Sequence, residues 1–289
     1  MLRIGWFTTA RGETSRRLLQ MAQSAMASGY LDARIEVVFC SREPGEDPNT
    51  DLFLDLARSY GIPLVCLSYS RFRRERKLPP VRQGEPLPPW RRDYDREIVR
   101  LLEPYAFDVA MLAGYMLVAS DVLCSRYPLL NLHPAPPGGP VGVWQEVVWQ
   151  LIAVGAHRSG AMVHLATPEV DRGPPVAYCL YSLRDPALDP LWQEVEGKTV
   201  PQLRAEVGEG LPLFMEIRRR SVARELPLVV EALRALAQGR VRIEGGRVTD
   251  ASGNLLFGLD LTPEVEEAVA RREAGQPWPW EAPTAGAGR

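Results

Sequence analysis

Short, continuous apolar runs alternate along the chain with stretches in which apolar residues recur every three or four positions. The runs are "LRIGWF" (2–7), "RIEVVFC" (34–40), "IPLVCLSY" (62–69), the start of "FDVAMLAGYML" (107–117) and "LLNL" (129–132). They read as strands, and continuous rather than alternating apolarity means that both faces of the sheet are covered. Between them lie helical patterns: "RRLLQMAQSAMASGYL" with a stop at Gly29, "DLFLDLARSYG" ending at Gly61, and "YDREIVRLLEPY" with Ile98, Leu101 and Leu102 at helical spacing. "SDVLCSRYP" follows with Ser120 as N-cap, then "VWQEVVWQLIAVG" with Val143, Val147 and Leu151 on one face. Strand–helix alternation predicts an α/β fold, a Rossmann-like, mostly parallel twisted sheet with helices on both faces.

Beyond residue 158 the rhythm changes. "SGAMVHLATPEVDRGPPVAYCLYSL" (159–183) reads as strand, tight loop, strand, and the alternation in its second half predicts an antiparallel pair. Residues 211–239 read as two helices meeting near Pro227, with Gly239 as the stop. "RVRIEGGRVTDASGNLLFGLDLT" (240–262) reads as a pair of small hairpins turning at Gly245-Gly246 and Ser252-Gly253. Two stretches resist the pattern. Residues 70–92, "SRFRRERKLPPVRQGEPLPPWRR", are basic and proline-rich without an amphipathic period. They are expected to form an exposed insertion loop or a cationic lid over an anionic ligand. Residues 184–210 are polar and irregular, a second insertion. The expected organisation is one domain over 1–240, a small β-hairpin extension over 241–272, and a flexible Pro/Gly/Ala-rich tail over 273–289.

Composition narrows this little. The chain has 289 residues, 46% hydrophobic and 24% charged, with a formal net charge of −2, so it carries no overall electrostatic footprint for nucleic acid. No apolar run reaches the roughly 18 residues of a membrane span. The N-terminus turns polar too soon for a signal peptide, and the expected location is cytoplasmic. The four cysteines have no metal or redox spacing, and Cys40, Cys66 and Cys179 are expected to be buried and inert.

Chemistry points elsewhere. Ligands of open α/β sheets bind outside the carboxyl ends of the strands, which nominates loops 8–15, 113–117, 133–142 and 167–173. Only three histidines occur, and one of them, His133, stands where a strand gives way to "PAPPGGP". Asn131 points to the same side of the strand two residues earlier. An asparagine amide can steady an oxyanion, a histidine can move a proton near neutral pH, and Asp171 from a second loop could orient the imidazole. That set suits acyl transfer to an amine. The alternative is a structural His133 bonded to loop backbone, with Asp171 stabilising a turn. His164 is expected to be partly buried and facing the site, and His157 exposed. Serine-elbow, zincin, P-loop and dinucleotide motifs are absent from the sequence, and no metal site is expected.

These residues resemble the 10-formyltetrahydrofolate-dependent formyltransferases, most closely the glycinamide ribonucleotide branch. "DVAMLAGYMLVAS" (108–120) is similar to the family's strand and folate-binding turn, "NLHP" (131–134) to its Asn-x-His-Pro motif, "SGAMVHLATPEVDRGP" (159–174) to the strand and loop ending in its catalytic Asp, and "ELPLVVEALRALAQGRV" (225–241) to its closing helix. The resemblance implies that 1–240 is the catalytic domain and that Asn131, His133 and Asp171 are catalytic. It implies that Leu112, Tyr115, Met116, Leu117, Val118, Ala166, Val170 and Asp171 hold the folate. Arg11, Gly12, Thr14, Ser15, Gly114, Pro134 and His164 would face the acceptor. It implies 10-formyltetrahydrofolate as co-substrate, no metal, a small-molecule amine acceptor that can carry phosphate, no nucleic-acid or membrane partner, and a monomer or homodimer. Glycinamide ribonucleotide is the leading acceptor. Another amine (an amino sugar or nucleotide), hydrolysis of the formyl-folate, or a non-catalytic folate-binding role are the alternatives. Departures cluster on the acceptor side: "TTARGETS" replaces the family's phosphate-cradling first loop, and "APPGGPVG" replaces the usual continuation after Asn-x-His-Pro. Leu117 and Arg172 stand where Arg and Gly are usual, and the late glutamate is missing near Ser221–Ala223. A separate reading makes Arg73, Arg74 and Arg76 an anion-binding surface.

Overall fold

The computed structural model describes residues 1–81 and 85–281. An eight-stranded sheet runs in the order β10-β7-β6-β5-β4-β1-β2-β3. Its strands are β1 (Leu2–Thr8), β2 (Ala33–Cys40), β3 (Leu64–Cys66), β4 (Val109–Leu112), β5 (Leu129–His133), β6 (Arg158–Leu165), β7 (Pro175–Ser182) and β10 (Leu259–Asp260). β3-β2-β1-β4-β5 pair in parallel, β6 is antiparallel to both its neighbours, and β10 is parallel to β7. All four residues of β4 are buried, as its unbroken apolar sequence requires of a strand covered on both faces.

Helices cover both faces. Against one lie α1 (Glu13–Ala27), α2 (Pro48–Ser59), the C-terminal half of α9 (Pro212–Ala237) and α10 (Thr262–Glu273). Against the other lie α3 (Tyr69–Glu75), α4 (Trp90–Leu102) and α5 (Asp121–Arg126). A third apolar cluster joins α6 (Trp144–Ala153), α7 (Asp189–Glu194) and α8 (Val200–Glu206) to the first turns of α9. Ser120 caps α5 as its position predicted, its Oγ accepting the Val122 N–H.

Five expectations need correction. Residues 70–92 are not simply a loop: α3 buries Phe72 against Tyr94, with ring centroids 5.1 Å apart, and Trp90 and Arg91 are buried at the start of α4. Seven residues are too few for a period to declare itself, and residues 82–84 lie outside the described set. Residues 184–210 contain α7 and α8, anchored by buried Trp192 and Leu203. No break occurs at Pro227, which lies inside the single helix α9. Interior proline costs ~3 kcal/mol, but Leu226, Leu228, Val229, Val230 and Leu233 are all buried there, at about 1.5–3 kcal/mol each. The first expected hairpin forms a separate sheet, β8 (Val241–Glu244) with β9 (Arg247–Asp250), while the turn at Ser252-Gly253 returns the chain for a single antiparallel bridge, Thr249 with Leu255. Leu259 and Asp260 instead extend the main sheet, and Leu261, Val265, Ala268 and Val269 are buried around α10. The tail, finally, is anchored as far as residue 281: Trp278 and Trp280 stack with centroids 5.3 Å apart, and Trp280 packs on Tyr30 at 5.8 Å. Residues 282–289 lie outside the described set.

Candidate active site

β5 and β6 carry the polar cluster. Asn131 and His164 are direct cross-strand partners, so their side chains rise on one face of the antiparallel pair. His133, two residues on from Asn131, shares that face. Asp171 comes down on all three. Its Oδ2 is 3.5 Å from His133 Nδ1, and its Oδ1 is 3.5 Å from Asn131 Nδ2 and 3.8 Å from His164 Nε2. The strand-end rule groups loop 167–173 with the other three loops. It does not belong there by direction, because β6 runs antiparallel. The loop leaves β6 beside Leu129, whose carbonyl accepts the Ala166 N–H at 2.7 Å, and reaches the site by lying over the sheet face.

Two backbone features let that loop close. Asp171 adopts φ 57°, a left-handed conformation that Asp tolerates better than most residues. Gly173 passes so near β6 that an added Cβ would sit 1.7 Å from the Leu165 carbonyl oxygen.

The hydrogen bonds set tautomers. His164 Nδ1 lies 2.9 Å from the Leu165 carbonyl, which only an N–H can satisfy, so Nε2 is the acceptor. Asn131 Nδ2 donates to it at 3.1 Å, which fixes which way the amide faces. Burial, the largest influence, holds His164 below the usual histidine range, against the pull of the Leu165 carbonyl and Asp171. His133 is 2% exposed, and its Nε2 lies 2.8 Å from the Pro140 carbonyl, so that nitrogen carries the proton and Nδ1 faces Asp171. The loop "APPGGP" thus contributes directly to the site, because its last residue supplies the carbonyl that orients the imidazole. The structural reading of His133 is half right, since the ring is bonded to loop backbone and faces a carboxylate as well.

The turn after β4 divides in two. Leu112 and Tyr115 point into the core, the Tyr115 ring packing on Phe7 at 6.0 Å and Phe39 at 6.3 Å, so their side chains are not available to a folate. Met116 and Val118 are exposed, Leu117 is half-buried, and Val170 is exposed on the facing loop. Ala166 and Pro134 are half-buried beside the cluster.

Holding this turn is an ion pair that sequence reasoning missed. Arg91 and Asp95, 1% and 0% exposed, meet at 3.0 Å. Arg91 Nη2 donates to the Val118 carbonyl at 2.7 Å, and Asp95 Oδ2 accepts the Ser120 N–H at 2.8 Å. Burial pushes the Asp95 carboxyl above the usual carboxylate range even with Arg91 pulling it down. The i,i+4 spacing in "WRRDYDRE" was visible in the sequence, but its burial was not.

Among the residues expected to face an acceptor, Gly114 has φ 72° and packs so that an added Cβ would lie 2.5 Å from Ser15 Oγ. Gly12 precedes α1 in extended conformation, Thr14 is exposed and Ser15 buried. Arg16 is engaged by Asn49 at 3.1 Å, leaving Arg11 as the exposed cation of that loop. His157 is exposed. Burial raises the thiols of Cys40 and Cys179 to about 12 and those of Cys66 and Cys124 to about 11, so none is a nucleophile at neutral pH. Among the described residues no group of three or more His, Cys, Asp or Glu is placed to hold a metal ion, and no helix is long and apolar enough to cross a membrane.

The chain is similar to known proteins in part of its sequence and in its fold. Residues 54–180 match the family described as formyl transferase. Phosphoribosylglycinamide formyltransferase of Escherichia coli (strain K12) is 37% identical over 86 residues, 29% of this chain and 40% of that protein. The chain thus matches about two fifths of the length of that curated relative. Among solved structures, glycinamide ribonucleotide transformylase 1 from Symbiobacterium toebii superposes with a TM-score of 0.58 at 25% identity, covering 86% of this chain and 94% of that one. The phosphoribosylglycinamide formyltransferase of Coxiella burnetii gives a TM-score of 0.60 at 19% identity, covering 90% and 98%. The chain is thus similar to formyl transferases over residues 54–180 and shares the Rossmann-like fold of these structures.

Proposed function

We propose that this protein transfers a formyl group from 10-formyltetrahydrofolate to the amine of a small acceptor, with glycinamide ribonucleotide as the leading candidate. The observation that carries the reading is the convergence of Asn131, His133 and Asp171, with His164, on one face of β5 and β6. The exposed apolar side chains of Met116, Val118 and Val170 suit the ring system of a folate.

In this reading the acceptor nitrogen attacks the formyl carbon and the carbonyl oxygen becomes an oxyanion. Asn131 meets that charge with the N–H not committed to His164, now only loosely engaged by Asp171 at 3.5 Å. The amine gives up a proton to the His133–Asp171 pair. The pair returns a proton to the folate nitrogen as its bond to the formyl carbon breaks. The Pro140 carbonyl keeps the imidazole oriented throughout. His164 acts through Asn131, as a positioning residue.

The test is an assay of purified protein with 10-formyltetrahydrofolate against a panel of amines that includes glycinamide ribonucleotide, with product mass as the readout. A formylated acceptor is expected. Formate released without an acceptor would make the protein a hydrolase, and folate binding without turnover would make it a non-catalytic relative.

A further inference from the structure

A cleft of about 520 Å³ opens at the ends of β1, β2 and β4, and none of the catalytic residues lines it. Three guanidinium-bearing residues enter it from three separate segments: Arg11 after β1, Arg42 just past β2, and Arg74 in α3. One carboxylate, Glu46, shares the lining but is already engaged, accepting from Ser68 Oγ, Ser70 Oγ and the Glu43 N–H. Arg42 is tied to Asp47 at 3.2 Å, whereas Arg11 and Arg74 have no ion pair among the described residues. The floor is polar and ordered. The buried Ser41 hydroxyl donates to Thr9 Oγ1 at 3.0 Å, and Thr9 Oγ1 also accepts the Met116 N–H at 2.9 Å, which couples the floor to the exposed turn after β4.

Gathering like charges round one cavity raises its potential and favours an anion there. We propose that this cleft holds the phosphate or polyphosphate of the formyl acceptor, gripped by Arg11, Arg42 and Arg74. The proposal rests on the formyl-transfer reading of the catalytic cluster. It replaces an anion cradle of loop backbone with a cage of side chains, two of them supplied by segments outside loop 8–15. It also sets the acceptor's shape. β2 is separated from β5 by β1 and β4, three strand spacings or about 14 Å. An acceptor whose amine reaches Asn131 while its anion reaches this cleft spans on the order of 10 Å, once the Arg side chains lean inward from strands spaced in this way. That length describes a phosphorylated sugar or nucleotide, not a small amine with an adjacent phosphate.

Calorimetric titration with inorganic phosphate and pyrophosphate, with no folate present, tests the site apart from catalysis. Wild type is expected to bind, and Arg11→Gln, Arg42→Gln and Arg74→Gln each to weaken binding by about tenfold or more, as loss of a charge-assisted contact requires. Arg58→Gln, at an exposed pair with Asp55 on α2, serves as the unaffected control. Should a Gln variant melt early, Arg74→Lys, which keeps the charge, is expected to retain part of the affinity. No binding to wild type at millimolar anion, or equal binding by wild type and the Gln variants, overturns the cleft. A second arm measures KM for glycinamide ribonucleotide. If anions bind through these arginines but acceptor KM is unchanged, the cleft takes a separate anion and the proposal is wrong while formyl transfer stands. Arginine-dependent anion binding in a protein that turns over no folate keeps the cleft and removes the transfer reading.

Discussion

Arg91→Met is the sharpest probe of how the fold serves the site. The substitution leaves Asp95 fully buried with the Ser120 N–H as its remaining partner and frees the Val118 carbonyl. Removing one member of a buried pair costs about 3–5 kcal/mol. For a chain of this size each kcal/mol lowers Tm by roughly 2–4 °C, so a fall of about 6–20 °C is expected. The double variant Arg91→Met/Asp95→Leu removes the stranded charge. Hydrophobic replacement of a buried pair is often neutral or better, so most of the lost Tm should return. Function should not return with it, because the 116–119 turn still lacks the Arg91 and Asp95 bonds that hold it. Thermal denaturation and the KM for 10-formyltetrahydrofolate are the two readouts. A single variant as stable as wild type, or a double variant that recovers folate KM along with Tm, would refute the view that this pair holds the turn.

Four further outcomes are expected. His133→Ala and Asp171→Asn should each lower kcat by about 10²–10⁴ with little change in Tm; normal turnover in either would remove the assignment. His164→Phe should lower kcat more than it changes acceptor KM, because Asn131 loses the acceptor that orients it. His164 also carries a pH signature. Its folded pKa lies below 6.5, so as pH falls below 6.5 the unfolded chain binds a proton that the folded one resists, and stability declines until the depressed pKa is passed. Urea denaturation across that window should show the decline in wild type and a flatter profile in His164→Phe. Gly173→Ala should displace the 167–172 loop and abolish activity while leaving the sheet intact, since the added methyl would sit 1.7 Å from the Leu165 oxygen. Full activity in that variant would show that the loop need not hold its observed path.

The unbroken apolar runs of β1, β2 and β4, the capped helix at Ser120 and the Asn131-x-His133 spacing were legible because each depends on neighbours along the chain. Period two places Asn131 and His133 on one face without any knowledge of the fold. The same local logic failed where the deciding contacts are distant. α3 is too short to show a period and is held by Tyr94. α9 runs through Pro227 because a sheet face lies beneath it. Trp280 is fixed by Tyr30, from the opposite end of the sequence. The antiparallel pairing of β6 with β7 was legible, yet only the register of β6 against β5 sets His164 opposite Asn131 and brings Asp171 down over both. By itself, then, the sequence determined the types of most elements and nominated Asn131, His133 and Asp171 as the candidate site. The tertiary structure decided the buried Arg91–Asp95 brace, the Pro140 carbonyl on His133 and the meeting of Arg11, Arg42 and Arg74 in one cleft. The physical reason is that burial and electrostatic focusing belong to no single segment. They arise when segments far apart in the chain exclude water from the same space.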